Sequence, residues 1–154
     1  MANEPSVEVG FYHCTRAPAT EVALRLAAKA HAAGQRLLIL VASAQLEPLD
    51  RALWVEDRDS FLPHAIAGGA HDAEQPILLA DQLPAEPPNG ARLLMLLEQG
   101  LPPEFAGFTR LLNLFDDNSP AHHRARTDWK AIGSRSGLDR SYWRQTPRGG
   151  WEKI

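Results

Sequence analysis

His122, Arg126, Lys130 and Gly133 stand at three- or four-residue steps in SPAHHRARTDWKAIG, so in a helix they share one face. Trp129 lies one position round from Lys130, and Phe115 closes the apolar run just upstream. Cations beside aromatic surface make an apolar pocket with a charged rim. Such a pocket suits a ligand with both a ring and a carboxylate, Arg126 holding the carboxylate at two points. It suits single-stranded nucleic acid as well, with bases on Trp129 and phosphates on the cations. The plain alternative is an amphipathic helix with Trp129 in the core and a solvated basic face.

A second constellation is Leu53-Trp54 followed by Asp59-Ser-Phe-Leu-Pro-His64. Trp54 and Phe61 flank the acidic stretch VEDRDS. Two large aromatics so placed either bury against each other or anchor an interface.

Signatures of catalysis are weak by comparison. The turn after the first strand reads CTRAPAT, without the glycines that let backbone N–H groups approach a pyrophosphate, and GxxxxGK is missing. Cys14 has only Arg16 nearby to hold a phosphate and reads as a small buried cysteine. His64, His71 and Asp72 match no helix-borne ligand spacing. Asp116 and Asp117 could hold magnesium, but followed by Asn118-Ser-Pro they more simply form a turn and a negatively charged helix start. No catalytic residue, metal or cofactor is expected.

The elements that would position these residues follow from periodicity. Val7 to Cys14 alternates as a strand, and Pro18 opens a helix stopping near Gly34. Leu37 to Ala42 is an apolar run expected of a strand covered on both faces. Ala44 to Trp54 reads as a helix with Pro48 in its first turn, and Val55 to Gln75 as irregular. Ile77 to Ala80, Arg92 to Leu97 and Thr109 to Phe115 give three more strands. Ser119 caps a last helix, with Pro120 at its first position, running to about Gly133. The expected fold is α/β: a single Rossmann-like domain over residues 1–143, with a mainly parallel sheet of about five strands flanked by helices and no nucleotide-binding loop. Residues 144–154, rich in Arg, Gly and Pro, read as a C-terminal tail.

The chain has 154 residues, enough for one domain but cramped for two cores. Its apolar runs are far shorter than the roughly 20 residues that span a bilayer, and its acidic start MANEPSVEVG lacks a secretory pattern. One cysteine excludes an internal disulfide. A cytoplasmic protein with no membrane contact is expected. The net charge of −3 conceals an asymmetry: residues 1–118 carry 8 Lys+Arg against 16 Asp+Glu, whereas residues 119–154 carry 8 against 3. The basic closing segment favours an anionic partner.

Several motifs in order resemble the chi subunit family of bacterial DNA polymerase III holoenzyme: the early FYH strand, GQRLLI, DRALWVEDRDSFLPHAIAG and RARTDWKA. The most specific piece is Leu53-Trp54 with Ser60 to His64. The resemblance implies a Rossmann-like, non-catalytic accessory protein, associated with the replisome. It would link the clamp loader to single-stranded-DNA-binding protein by binding the latter's acidic C-terminal tail, and contact DNA mainly indirectly. By position, the resemblance assigns the tail site to Phe115, His122, Arg126, Trp129 and Lys130. His122 stands where the family pattern has lysine, and Trp129 where it has another aromatic. Trp54 and Phe61 fall on a second surface, for a psi subunit or another clamp-loader component. The alternative function is direct binding of single-stranded DNA.

Overall fold

A computed structural model describes residues 6–55, 62–105 and 107–154. Strand β1, Val7–Cys14, alternates as its sequence demands. Val9 and Phe11 enter the core on one face, Tyr12 and Cys14 on the other. Helix α1, Ala19–Ala32, buries Val22, Ala23, Ala27 and Ala30 along one stripe. Its first N–H group, on Ala19, donates to Asp116 Oδ1 at 2.7 Å, so an acid from another strand caps it.

Strand β2, Leu37–Leu40, is followed by a short 3-10 turn, Ser43–Gln45, and helix α2, Leu46–Val55. Strands β3 (His64–Ile66), β4 (Ile77–Ala80), β5 (Leu93–Leu97) and β6 (Arg110–Asp116) come next. Helix α3, Pro120–Ile132, then leads to β7, Leu138–Gln145, and β8, Trp151–Lys153. The sheet order is β3-β4-β2-β5-β6-β1-β7-β8. Every pairing is parallel except β7 with β8.

Strands β2, β4 and β5 are apolar at every position because both faces are covered, and each is buried along its whole length. Leu37, Ile39, Ile77, Leu79, Leu93 and Met95 pack under α1 and α2. Leu38, Leu78, Leu94 and Leu96 pack with Phe105, Phe108 and the α3 residues Ala121 and Ala125. Each fully buried Leu or Ile contributes about 1.5–3 kcal/mol relative to leaving it in water.

The expected α/β class and mainly parallel sheet are present, but among the described residues the sheet has eight strands rather than about five. The additions are β3, inside the stretch read as irregular, and β7 and β8, beyond the last expected helix. Residues 144–154 are therefore not a tail hanging from the domain. Gln145 ends β7, and its Oε1 accepts from the Arg16 and Ala17 N–H groups at 3.0 and 3.1 Å. Thr146–Gly150 turns the chain, with Gly149 at φ 86, and β8 returns antiparallel to β7. Strand β7 hides from a hydrophobicity reading because it lies outside the two-sided core: only Gln145 in it is buried. Among the described residues, no helix is long and apolar enough to cross a membrane.

Candidate binding site

The start of α3 is fixed locally. Ser119 Oγ accepts from the His122 N–H at 3.1 Å and donates to the Asp116 carbonyl at 2.8 Å, while Pro120 occupies the first turn, where no intrahelical donor is lost. This cap sets the rotational phase of the helix. Ala121, His122, Ala125 and Ile132 turn inward, while Arg126 and Lys130 face solvent. Trp129 lies between these two faces and is half-buried.

Arg126, Trp129 and Lys130 line a cavity of about 360 Å³, completed by Tyr142 of β7 and Ile154 just past β8. Its apolar wall is an aromatic cluster: Trp129 meets Phe11 edge-on at 5.2 Å and Tyr142 edge-on at 5.8 Å. Arg140 of β7 lays its guanidinium 4.0 Å from the Trp129 ring centre and donates to the Trp129 carbonyl. The Ile154 N–H donates to the Tyr142 carbonyl at 2.9 Å, which holds Ile154 at the rim. Among the described residues neither Arg126 nor Lys130 forms an ion pair. The acid on α3, Asp128, sits two positions from each of them, accepts from the Leu101 N–H at 3.0 Å and lies 3.6 Å from Arg124. The cavity therefore presents two cations over an aromatic wall, uncompensated by the helix that carries them.

Phe115 and His122 are brought near this cavity but do not line it. Phe115 is fully buried and stacks on His122 at 5.5 Å. His122 is 5% exposed, and its Nδ1 accepts from the Asn118 N–H at 3.0 Å. Burial, with the neighbouring His13 and Arg126, holds its pKa below the ordinary histidine range. Both residues lie behind the amino end of α3, on the core side. Arg140 and Tyr142 were missed because no element is expected in the stretch after Gly133, and Ile154 because residues 144–154 read as a tail. The adjacent aromatics Tyr142 and Trp143, a strand-favouring pair, were the available signal.

Trp54, at the end of α2, is 52% exposed and lies 4.6 Å from the His64 ring. Phe61 lies outside the described residues. His64 is anchored to Leu62 and Asp50 carbonyls, whereas His71 pairs with Glu74, so the ring nitrogens of these two histidines have separate partners.

At the strand ends, Asp116 and Asp117 diverge: one caps α1, the other lies 2.8 Å from His13 Nε2. That hydrogen bond holds the Asp117 carboxyl below its usual range. Cys14 is buried, and desolvation together with Asp116 and Glu98 pushes its thiol up to about 12. Such a thiol is the reverse of an activated nucleophile.

Fold and cavity together define a doubly wound α/β domain with no phosphate loop, carrying a cationic and aromatic notch on its last helix. A family model described as DNA polymerase III chi subunit, HolC, matches residues 7–139, and the chain belongs to that family. It is 29% identical over 113 residues to DNA polymerase III subunit chi of Haemophilus influenzae, covering 73% of this chain and 78% of that protein. It is also 30% identical over 91 residues to the probable DNA polymerase III subunit chi of Rickettsia prowazekii, covering 58% of this chain and 54% of that one.

Proposed function

We propose that this chi-family protein is a non-catalytic, cytoplasmic, replisome-associated accessory subunit. It links the clamp loader to single-stranded-DNA-binding protein by holding the acidic C-terminal tail of the latter. One observation carries the reading: two exposed cations, Arg126 and Lys130, stand over the half-buried Trp129 and Tyr142 around a cavity of about 360 Å³. A tail ending in an aromatic residue offers the complementary chemistry. Its ring covers the indole and phenol, its terminal carboxylate takes the Arg126 fork, and its upstream acids approach Lys130. Phe115 and His122 support this wall from behind, so their contribution is to its shape.

A charge-assisted hydrogen bond contributes about 1.5–3 kcal/mol, an exposed rim charge well under 1. Titrating the protein with a synthetic acidic peptide ending in phenylalanine, followed by Trp fluorescence or calorimetry, tests this. Arg126→Ala is expected to weaken binding by about tenfold or more. Lys130→Ala is expected to leave affinity nearly intact at low salt while flattening its salt dependence. Binding by Arg126→Ala equal to the parent would sink the assignment. Saturable binding of a single-stranded oligonucleotide without any protein partner, steeply salt-dependent, would favour direct DNA binding instead. The exposed end of α2 at Trp54 is the proposed docking surface for a psi subunit or another clamp-loader component, and Phe61 belongs to the same proposal.

A further inference from the structure

Three ligand-bearing side chains meet at a place the peptide cavity does not use. His13 comes from the end of β1, Asp117 from the turn after β6, and His122 from the first turn of α3. Their ligand atoms all lie within 4.8 Å of one another. His13 Nε2 is 2.8 Å and His122 Nδ1 3.7 Å from the same Asp117 oxygen, and the two imidazole rings are 4.2 Å apart. Both rings are buried, while the Asp117 side chain is 46% exposed, which leaves one side of the cluster open to solvent. Strand β1 feeds α1 on one face of the sheet and the adjacent β6 feeds α3 on the other. The chain thus parts at the carboxyl ends of these two strands, where open parallel sheets place ligands.

The geometry points to a zinc site formed by His13 Nε2, Asp117 Oδ1 and His122 Nδ1, with a fourth position left for water. Two imidazoles and one carboxylate with an open side are a donor set that Zn²⁺ takes readily. Around a tetrahedral ion with bonds of about 2.0–2.2 Å, ligand atoms stand roughly 3.3–3.5 Å apart. The two distances to Asp117 bracket that spacing and all three ligand atoms lie within 4.8 Å of one another, so binding needs side-chain adjustment, including release of His122 Nδ1 from Asn118, but no rearrangement of the sheet.

The surroundings are those of a metal-ligating histidine. Tyr142 Oη lies 3.1 Å from His13 Nδ1, the nitrogen that faces away from Asp117. With the ion on Nε2, Nδ1–H donates to the phenol and the ring orientation is kept. His122 Nδ1 accepts from the Asn118 N–H, and the ion takes that lone pair. Asn118 is exposed, so its N–H passes to water. Bound zinc would tie the amino end of α3 to β1. Because Tyr142 also lines the cavity under Arg126, the site stands one side chain away from the proposed peptide notch.

The test uses the untagged full-length protein, stripped with a chelator and titrated with Zn²⁺ by calorimetry and with Co²⁺ by visible absorbance. One ion per chain and the intense bands of tetrahedral Co²⁺ are expected. Asp117→Asn replaces a half-exposed carboxylate by its isostere and should weaken binding by about tenfold or more with the circular dichroism spectrum unchanged. His13→Gln should do the same; if that variant unfolds, Asp117→Asn decides. A double variant of the exposed histidines, His71→Gln with His123→Gln, should bind like the parent. Failure to saturate near one equivalent, parent-like binding by Asp117→Asn, or loss of binding in the double surface variant would each overturn the site. The readout involves no peptide, so its outcome is independent of the proposed tail recognition.

Discussion

The guanidinium of Arg140 lies over the Trp129 indole, 4.0 Å from its centre, while donating a hydrogen bond to the carbonyl of the same residue. The contact joins β7 to the last turn of α3, and it holds the indole against Phe11 and Tyr142. The wall of the cavity is therefore braced from a strand that the sequence alone did not announce.

Removing that brace should loosen the wall without emptying it. Arg140→Ala forfeits an exposed cation–π contact and a charged hydrogen bond, together about 2 kcal/mol, at the low end of each range because both are exposed. A lower thermal midpoint and a weaker response of Trp129 to added peptide are expected, with Arg126 untouched. Arg140→Lys keeps the charge but not the planar stack and should recover only part of the loss. An Arg140→Ala variant with the midpoint and peptide affinity of the parent would show that the stack is idle.

Asn113 presents the opposite case, a polar group in the wrong solvent. It is 1% exposed in the middle of β6, and among the described residues neither its amide nitrogen nor its oxygen has a hydrogen-bond partner. Its neighbours across the sheet are Phe11 and Leu96. Asn113→Leu is of similar volume and relieves the desolvation of an unsatisfied amide, so a gain of about 1–3 kcal/mol is expected in denaturant unfolding. A loss of stability would mean that the amide has partners it does not show here.

The Cys14 thiol offers a chemical reporter of the same core. Its pKa of about 12, against the ordinary 9.0, lowers the thiolate fraction near pH 8 by about a thousandfold, before its 3% exposure is considered. Iodoacetamide at pH 8 should leave the native protein essentially unlabelled and modify it fully in denaturant. The labelling rate in increasing denaturant should then follow opening of the β1 and β6 strand ends. Rapid labelling under native conditions would contradict the burial.

The core strands and the helix boundaries were legible in order along the chain, because their information is local. A short apolar run such as LLIL or ILLA, bounded by turn signals, is expected of a strand covered on both faces, and Ser119-Pro120 is a local helix-start signal. The helical face of Arg126 and Lys130 beside Trp129 was legible for the same reason. Strands β7 and β8 were not: their residues are half-exposed, and they become strands by pairing with β1 and with each other, a relation between segments far apart in sequence. That pairing brings Tyr142, Arg140 and Ile154 to the helix, while packing of α3 on the sheet sets His122 against His13, from β1, and Asp117. Side-chain types and helical spacing thus settle which chemistry is available. Long-range strand pairing settles which of those groups meet, since three-dimensional neighbours more than 100 residues apart leave no periodic trace in a linear sequence.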